Sequence, residues 1–243
     1  MFDFLMTPDG WASLLTLVFM EIILGIDNII FISLIADRLP KHQQQRGRAI
    51  GLSLALIVRI LLLFSISWLT RLTEPLITLG EFALSARDVI LIAGGLFLLY
   101  KTTREIHEKI EHDDTDTKKL KGKNTFGSVI FQIILIDVVF SVDSILTAVG
   151  LVDNVVIMII AVSLAMGFML LFSKWVSEFI NKHPTIKMLA LSFLLMIGVL
   201  LIADGLHYHI EKQYLYFAMG FSFLVEFLNM RARKGKKEQH GHK

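Results

Sequence analysis

Residues 21–30 read EIILGIDNII, and residues 137–146 read DVVFSVDSIL. Each stretch has an acid, a second acid six positions later, a small polar residue directly after it and then two aliphatic residues. Both stretches lie inside long apolar runs and align without a gap. A carboxylate in the hydrocarbon of a bilayer costs roughly 2.5–3.5 kcal/mol. Four such acids therefore need compensating partners, and a cation that passes through the protein would be one.

The composition is typical of a membrane protein. Of the 243 residues, 54% are hydrophobic, and they fall in long runs rather than in short strands or amphipathic stripes. The absence of cysteine excludes disulfides, thiolate metal sites and cysteine nucleophiles. Residues 1–10 contain no Lys or Arg, and the first apolar run contains two acids, so we do not expect a cleavable signal peptide.

Seven apolar runs are near the length that crosses about 30 Å of hydrocarbon, and we predict a transmembrane helix for each. They cover residues 11–35, 49–69, 86–101, 126–150, 154–175, 186–203 and 213–230. All four prolines fall outside these runs, as expected at helix boundaries. The sequence therefore predicts an all-α, polytopic membrane protein.

Lys and Arg are distributed unevenly between the connecting segments. If the N-terminus is external, 20 of the 24 basic residues lie in cytoplasmic segments, whereas Arg71, Arg87 and Lys212 lie in external ones. Because short loops rich in Lys and Arg remain in the cytoplasm, we predict an external N-terminus and a cytoplasmic C-terminus. The basic tail, residues 231–243, would then contact anionic lipid.

The two acidic stretches each begin a unit of three helices within a single transmembrane domain. We assign repeat 1 to residues 11–101 and repeat 2 to residues 126–203, joined by a polar cytoplasmic linker at 102–125. One extra helix, 213–230, follows. Because three spans is an odd number, the second unit enters the membrane from the opposite side, as an inverted 3+3 repeat. Such repeats place a binding site near the midplane, at the interface between the repeats.

The candidate metal ligands occupy matching positions of the two stretches: Glu21, Asp27, Asn28, Asp137, Asp143 and Ser144. All of them offer oxygen atoms, which suit Mn²⁺, Mg²⁺ or Ca²⁺. Zinc and copper usually recruit His or Cys, and the histidines here lie in loops, tails or span ends. Carboxylates must lose their protons to bind a metal, so the same acids allow proton-coupled exchange. No resident cofactor is expected.

Helical geometry leaves the shape of this site open. Glu21 and Asp27 are about 120° apart on a regular helix, so they do not share a narrow face, whereas Glu21 and Asn28 do. Either the acids line a wide cavity, or the helices unwind at Gly25 and Ser141 and free backbone carbonyls as further ligands.

Three other residues belong to the predicted site. Arg59 is the one basic residue in the middle of a predicted span, and one base cannot neutralise four acids. We therefore predict that Arg59 is a structural or charge-balancing partner of the acids rather than a substrate contact. Glu226 and Asn229 lie near the cytoplasmic end of the last span. They fit a helix cap and a cytoplasmic entry site equally well.

The stretches from Glu21 to Phe31 and from Asp137 to Leu146 resemble the TerC/Alx family of bacterial integral membrane proteins. The resemblance covers nearly the whole chain and includes Arg59 and the segment from Glu226 to Asn229. It implies a LysE-type exporter of the bacterial cytoplasmic (inner) membrane that removes Mn²⁺ from the cell. The family is also associated with tellurium resistance. Some longer relatives carry a soluble regulatory domain, and we expect none here.

Other functions account for the sequence less well. A membrane scaffold that supports metallation or export of other proteins would carry the same resemblance, and protein partners are not identifiable. Handling of a tellurium oxyanion fits poorly, because four acids repel an anion. An intramembrane aspartyl protease would leave two of the four acids unexplained, so we do not expect an enzyme. ATP hydrolysis is not expected, since no phosphate-binding loop is found in the sequence. Nucleic-acid binding is not expected either, because contact with anionic lipid accounts for the basic tail.

Overall fold

The computed structural model describes residues 7–65, 72–79, 82–111, 125–152, 154–208 and 210–240. In these ranges the chain forms seven helices and one β-hairpin. The helices are α1 (Pro8–Ala36), α2 (Lys41–Phe64), α3 (Ala86–Glu111), α4 (Phe126–Leu151), α5 (Val155–Lys182), α6 (Pro184–Gly205) and α7 (Lys212–His240). The strands β1 (Pro75–Leu79) and β2 (Phe82–Ser85) lie between α2 and α3.

Local sequence signals fix several helix starts. The side chain of Thr7 accepts a hydrogen bond from the backbone nitrogen of Gly10 at 3.2 Å, and Pro8 is the first residue of α1. The side chain of Asn154 caps α5 in the same way, accepting from Val156 at 3.0 Å. Pro184 opens α6. The capping side chains pair with free backbone amides of the first turn, and the prolines have no such amide to pair. The residues next to the apolar runs therefore mark where these helices begin.

Five helices of the described chain are long and apolar enough to cross a membrane: α1, α2, α4 (over Phe126–Leu146), α5 and α6. The other two helices, α3 and α7, each join an apolar half to a polar half, which lowers their average hydropathy. The protein is therefore an all-α polytopic membrane protein, as the sequence predicts. Its orientation in the bilayer stays a prediction.

Four predicted helix ends differ from the structure by seven residues or more. Helix α2 begins at Lys41 instead of residue 49, and α5 continues to Lys182 instead of ending at residue 175. The other two are the ends of α3 and α7. Helix α3 continues to Glu111, ten residues into the predicted linker, and α7 continues to His240, ten residues past its predicted end. In α3 the polar extension carries a pair one turn apart, Arg104 to Glu108 at 2.9 Å. Such pairs stabilise helix outside the hydrocarbon, whereas the sequence prediction ended each helix where the apolar residues ended.

The β-hairpin was missed by the all-α prediction. Strands β1 and β2 are antiparallel, with Thr78 opposite Ala83 and Leu79 opposite Phe82. The available signal was Gly80 between two short runs of apolar and β-branched residues, which is typical of a hairpin connection. Residues 80 and 81 themselves lie outside the described ranges.

The main helix contacts connect the two halves of the chain. Helix α1 packs on α5, α2 packs on α4, and α3 packs on α6. The set of pairs is symmetric between the two halves. If each of α1, α2 and α3 is exchanged with its counterpart α4, α5 or α6, the same three pairs result. This symmetric set of pairs is compatible with two related three-helix units, and the inverted repeat and its boundaries remain a sequence prediction.

Helices α3 and α6 cross closely at Gly95 of α3 and Gly198 of α6. A Cβ atom on Gly95 would lie 2.6 Å from the carbonyl oxygen of Gly198, and one on Gly198 would lie 3.1 Å from that of Gly95. The neighbours correspond as well, since Gly95 meets Ile202 and Gly198 meets Leu99. Glycine at both positions lets the two backbones touch, as small residues do in membrane helix pairs.

Candidate functional site

One buried arginine joins the two acidic stretches. Nη1 of Arg59 donates to Oε2 of Glu21 at 2.7 Å, and Nη2 donates to Oδ1 of Asp137 at 2.8 Å. Arg59 is 2% exposed, Glu21 5% and Asp137 2%. The first acids of the two stretches therefore meet through a single guanidinium group inside the helix bundle.

The three side chains come from different helices that are held by apolar packing: Glu21 from α1, Arg59 from α2 and Asp137 from α4. One turn after Asp137, the hydroxyl of Ser141 donates to its Oδ2 at 3.2 Å. Helices α1 and α4 run without interruption through Gly25 and Ser141. The structure therefore contains regular helices rather than the unwound segments that the sequence left open.

Charge at this position is unbalanced when both carboxylates are ionised, because one guanidinium neutralises only one of them. Removing ions from water is expensive, and buried groups of this kind are tolerated only when they are paired and hydrogen-bonded. The arrangement can hold an additional cation or an additional proton. It is consistent with the charge-balancing role predicted for Arg59.

A small cavity of about 50 Å³ lies beside Glu21 and Arg59. Asn28 and Ser144, which follow the second acids of the two stretches, also line it. Its volume exceeds the roughly 10–15 Å³ that one water molecule needs, so it has room for a small hydrated species. Three of the six predicted ligands, Glu21, Asn28 and Ser144, thus face a common space.

Asp143, the second acid of the stretch at residues 137–146, does not line this small cavity. Oδ1 of Asp143 accepts a hydrogen bond from Nη2 of Arg87 at 2.6 Å. Asp143 lines an open cavity of about 470 Å³ next to the β-hairpin, at the end of the bundle that the sequence predicts to be external. The side chain of Asp27, its counterpart in the first stretch, lies outside the described part of the structure.

The described acids are therefore paired with arginines instead of being gathered around one point. Among the residues that the structure describes, no group of three or more His, Asp or Glu side chains is arranged to hold a metal ion. Glu21 and Asp137 share Arg59, and Asp143 contacts Arg87. A six-ligand metal cage remains a prediction from the sequence.

Two polar residues that were not predicted as part of the site also line the small cavity. Asp204 lies near the end of α6, and Tyr216 lies near the start of α7. The sequence could have indicated Asp204 as a site residue, because it is an acid at the end of an apolar run. Tyr216 carried none, since an aromatic residue near a span end is ordinary.

Glu226 and Asn229 do not reach this cavity. Glu226 lines an open groove between α6 and α7 together with Thr185 and Ser192, and Asn229 is exposed. The entry role proposed for these two residues stays a prediction.

A second polar cluster lies where α1 ends, at the predicted cytoplasmic face. Asp37 follows α1 directly and lies 3.8 Å from Nζ of Lys187 and 3.9 Å from Nη1 of Arg48. Burial raises the pKa of Asp37, and the nearby Lys187 opposes that rise. Burial also lowers the pKa of Lys109, on the extension of α3, to about 8, with Lys187 as the second cause. This cluster links the ends of α1, α3 and α6.

Fold and site together define a multi-pass membrane protein with paired carboxylates inside its helix bundle. The profile of the family described as "Integral membrane protein TerC family" matches residues 6–240. The chain therefore belongs to the TerC family, as its resemblance implied.

Several curated relatives are similar over nearly the whole chain. The "UPF0053 inner membrane protein YoaE" of Escherichia coli K12 is 51% identical, and the match covers 96% of this chain and 45% of that protein. A "UPF0053 protein" of Haemophilus influenzae is 47% identical over 96% of this chain and 99% of its own length. The chain spans less than half of YoaE and nearly all of the Haemophilus protein. No solved structure matches it.

These relatives and the apolar helices place the chain in the bacterial inner membrane as a multi-pass protein.

Proposed function

We propose that this protein is a secondary transporter that exports divalent metal cations, with Mn²⁺ as its main substrate. The observation that carries the proposal is the meeting of Glu21 and Asp137 at one buried guanidinium group. Two carboxylates from corresponding positions of two related helices form a site that both halves of the protein share. In inverted-repeat transporters, substrates bind at such a shared position.

The donor atoms favour a hard or borderline divalent ion. Glu21, Asn28 and Ser144 offer oxygen to the small cavity, and Asp137 offers oxygen on the other side of Arg59. A divalent cation would balance two carboxylates, which one guanidinium does not. Membership of the TerC family supports membrane transport, and the family's association with manganese efflux favours Mn²⁺ among the ions that oxygen ligands accept.

Arg59 acts in this proposal as a tethered cation. It holds Glu21 and Asp137 when no substrate lies between them, and it gives up one or both hydrogen bonds when the substrate enters. The carboxylates then exchange one positive partner for another, so both of them contact a cation at each stage. A proton can take the same place as the metal, which provides the means of proton coupling.

Transport by the purified chain tests the proposal. The protein is reconstituted alone into vesicles, and Mn²⁺ uptake is measured with and without an imposed pH gradient, beside Ca²⁺, Mg²⁺, Zn²⁺ and Fe²⁺. We expect uptake of Mn²⁺ above that of empty vesicles. In cells, we expect a lower Mn content with the protein than without it.

Substitution of the acids tests whether Mn²⁺ transport depends on them. Asp27→Asn and Asp143→Asn should abolish Mn²⁺ transport while the protein still reaches the membrane. Glu178→Gln is the matched control, because Glu178 is an exposed acid whose nearest base, Lys174, lies 3.9 Å away. Retained transport in both Asp variants would remove the ligand role, and a reconstituted protein that moves no metal would favour the scaffold function.

A further inference from the structure

Arg87 forms a salt bridge with Asp143, the second acid of the stretch at residues 137–146. Its Nη2 lies 2.6 Å from Oδ1 of Asp143, and the two side chains are 19% and 8% exposed. Arg87 is the second residue of α3, and its backbone nitrogen donates to the carbonyl oxygen of Leu72 at 3.0 Å. The segment before the hairpin and the start of α3 therefore fix the position from which Arg87 reaches Asp143.

A second carboxylate lies next to the same guanidinium group. Oδ1 of Asp88 is 3.9 Å from Nη1 of Arg87, just beyond hydrogen-bond distance. The other oxygen of Asp88 is already engaged: it accepts from the nitrogen of Ser85 at 2.8 Å and from its hydroxyl at 2.6 Å. It also lies 3.0 Å from Nε2 of His207. Asp88 is thus held in place with one oxygen directed to Arg87.

These groups share a cavity with a path to the outside. Asp143, Arg87 and Asp88 all line the open cavity of about 470 Å³ beside the hairpin. Asp143 lies six residues after Asp137 on α4, about 9 Å further along the helix axis. Along α4, Asp143 is therefore nearer than Asp137 to the predicted external side, and the charge of Arg87 lies beside it.

We propose that Arg87 controls release of the transported cation at the predicted external side. The inference rests on the proposed export of divalent cations and adds a residue that acts on their exit. Arg87 competes with the cation for Asp143. When the cation binds Asp143, the guanidinium of Arg87 moves to Oδ1 of Asp88. When the guanidinium returns to Asp143, it displaces the cation into the cavity. Its charge also repels external cations, which favours export over re-entry.

The test measures how tightly external Mn²⁺ engages the protein. In vesicles that expose the external face, Arg87→Gln should lower the Mn²⁺ concentration for half-maximal uptake by about tenfold, a usual size for coupling between two sites. Arg87→Lys should stay close to the parent protein, because it keeps the charge. Arg104→Gln is the control, since Arg104 also pairs with an acid, Glu108, but lies on the polar extension of α3.

Chemical modification separates charge from structure. The chain has no cysteine, so Arg87→Cys provides a single thiol. A cationic, membrane-impermeant methanethiosulfonate forms a mixed disulfide at this thiol and releases sulfinate, so it restores a positive charge at position 87. An anionic analogue adds a similar bulk with negative charge. We expect the cationic adduct, and not the anionic one, to raise the half-maximal Mn²⁺ concentration towards that of the parent protein.

The outcomes are distinct for the two proposals. If the parent protein does not transport Mn²⁺, the proposed function fails and the release role fails with it. If the parent transports Mn²⁺ but Arg87→Gln has the same external half-maximal concentration, only the release role is overturned. Equal effects of the cationic and anionic adducts would also overturn it, because they would show a structural role for Arg87.

Discussion

Glu21 and Asp137 are hydrogen-bonded to the two terminal nitrogens of the same guanidinium group, that of Arg59, inside the helix bundle. They are corresponding residues of two stretches that are more than a hundred positions apart. Their meeting shows why the acids are acceptable at this depth, and it leaves one negative charge for a cation or proton to balance. We expect the stability of the protein to depend on this contact, and in the proposed function its transport depends on it as well.

Removing the arginine should destabilise the protein strongly. Arg59→Met leaves two buried carboxylates without their cation, and breaking such a pair costs about 3–5 kcal/mol. We expect a correspondingly lower midpoint of thermal unfolding in detergent. Adding Glu21→Gln and Asp137→Asn to Arg59→Met removes the stranded charges and should recover most of the loss. A triple variant as unstable as Arg59→Met would contradict this account of the site.

The crossing of α3 and α6 should not tolerate a single added methyl group. In Gly95→Ala the new Cβ would lie 2.6 Å from the carbonyl oxygen of Gly198, and this backbone atom cannot move aside cheaply. Overpacking of this kind costs about 1–3 kcal/mol. Gly167→Ala is the control, since no described atom lies within 4 Å of a Cβ there. Thermal unfolding should show a loss in the first variant only, and equal behaviour would argue against the close crossing.

Asp204 should contribute to transport although it lies outside the two acidic stretches. It lines the small cavity with Glu21, so Asp204→Asn removes a negative charge that attracts the cation. We expect a several-fold higher Mn²⁺ concentration for half-maximal transport, with the amount of folded protein unchanged. Glu211→Gln serves as the control, because Glu211 is an exposed acid a few residues further on. If both variants transport alike, the cavity at Asp204 is not on the cation's path.

Lys109 should have a pKa well below the ordinary value of a lysine. Burial, followed by the charge of Lys187, lowers the pKa of Lys109 from its ordinary value of 10.5 to about 8. Acylation of Lys109, followed by mass spectrometry, should therefore reach half of its maximal rate near pH 8. Lys187→Gln removes a repelling charge and should move that midpoint to higher pH. An unchanged midpoint would show that the two lysines are not neighbours.

The same shift has a consequence for stability. Between about pH 8 and 10.5 the unfolded chain binds a proton at Lys109 that the folded chain has already released. The free energy of unfolding should therefore rise with pH across this window. Lys109→Met should remove that part of the rise, which thermal unfolding at several pH values would detect.

Much of the fold follows from local features of the sequence. The apolar runs, with Pro8 and Pro184 at two helix starts, predicted the helices of the bundle to within a few residues at most ends, because burial in lipid requires a continuous hydrogen-bonded helix. The polar continuations of α3 and α7 were not predicted, since pairs such as Arg104 and Glu108 support helix without any apolar signal. The hairpin was missed because its strands are short and lie next to much longer helices.

The site was predictable in part. By itself, the sequence determined that Glu21 and Asp137 are matching acids inside spans and that Arg59 is the one base available at that depth, because charge in hydrocarbon is too costly to be accidental. Only the tertiary structure decided which partners meet. It showed one guanidinium shared by Glu21 and Asp137, and it placed Asp143 beside Arg87. Such pairings depend on the rotation and crossing of packed helices, and residues distant in the chain carry no local signal of them.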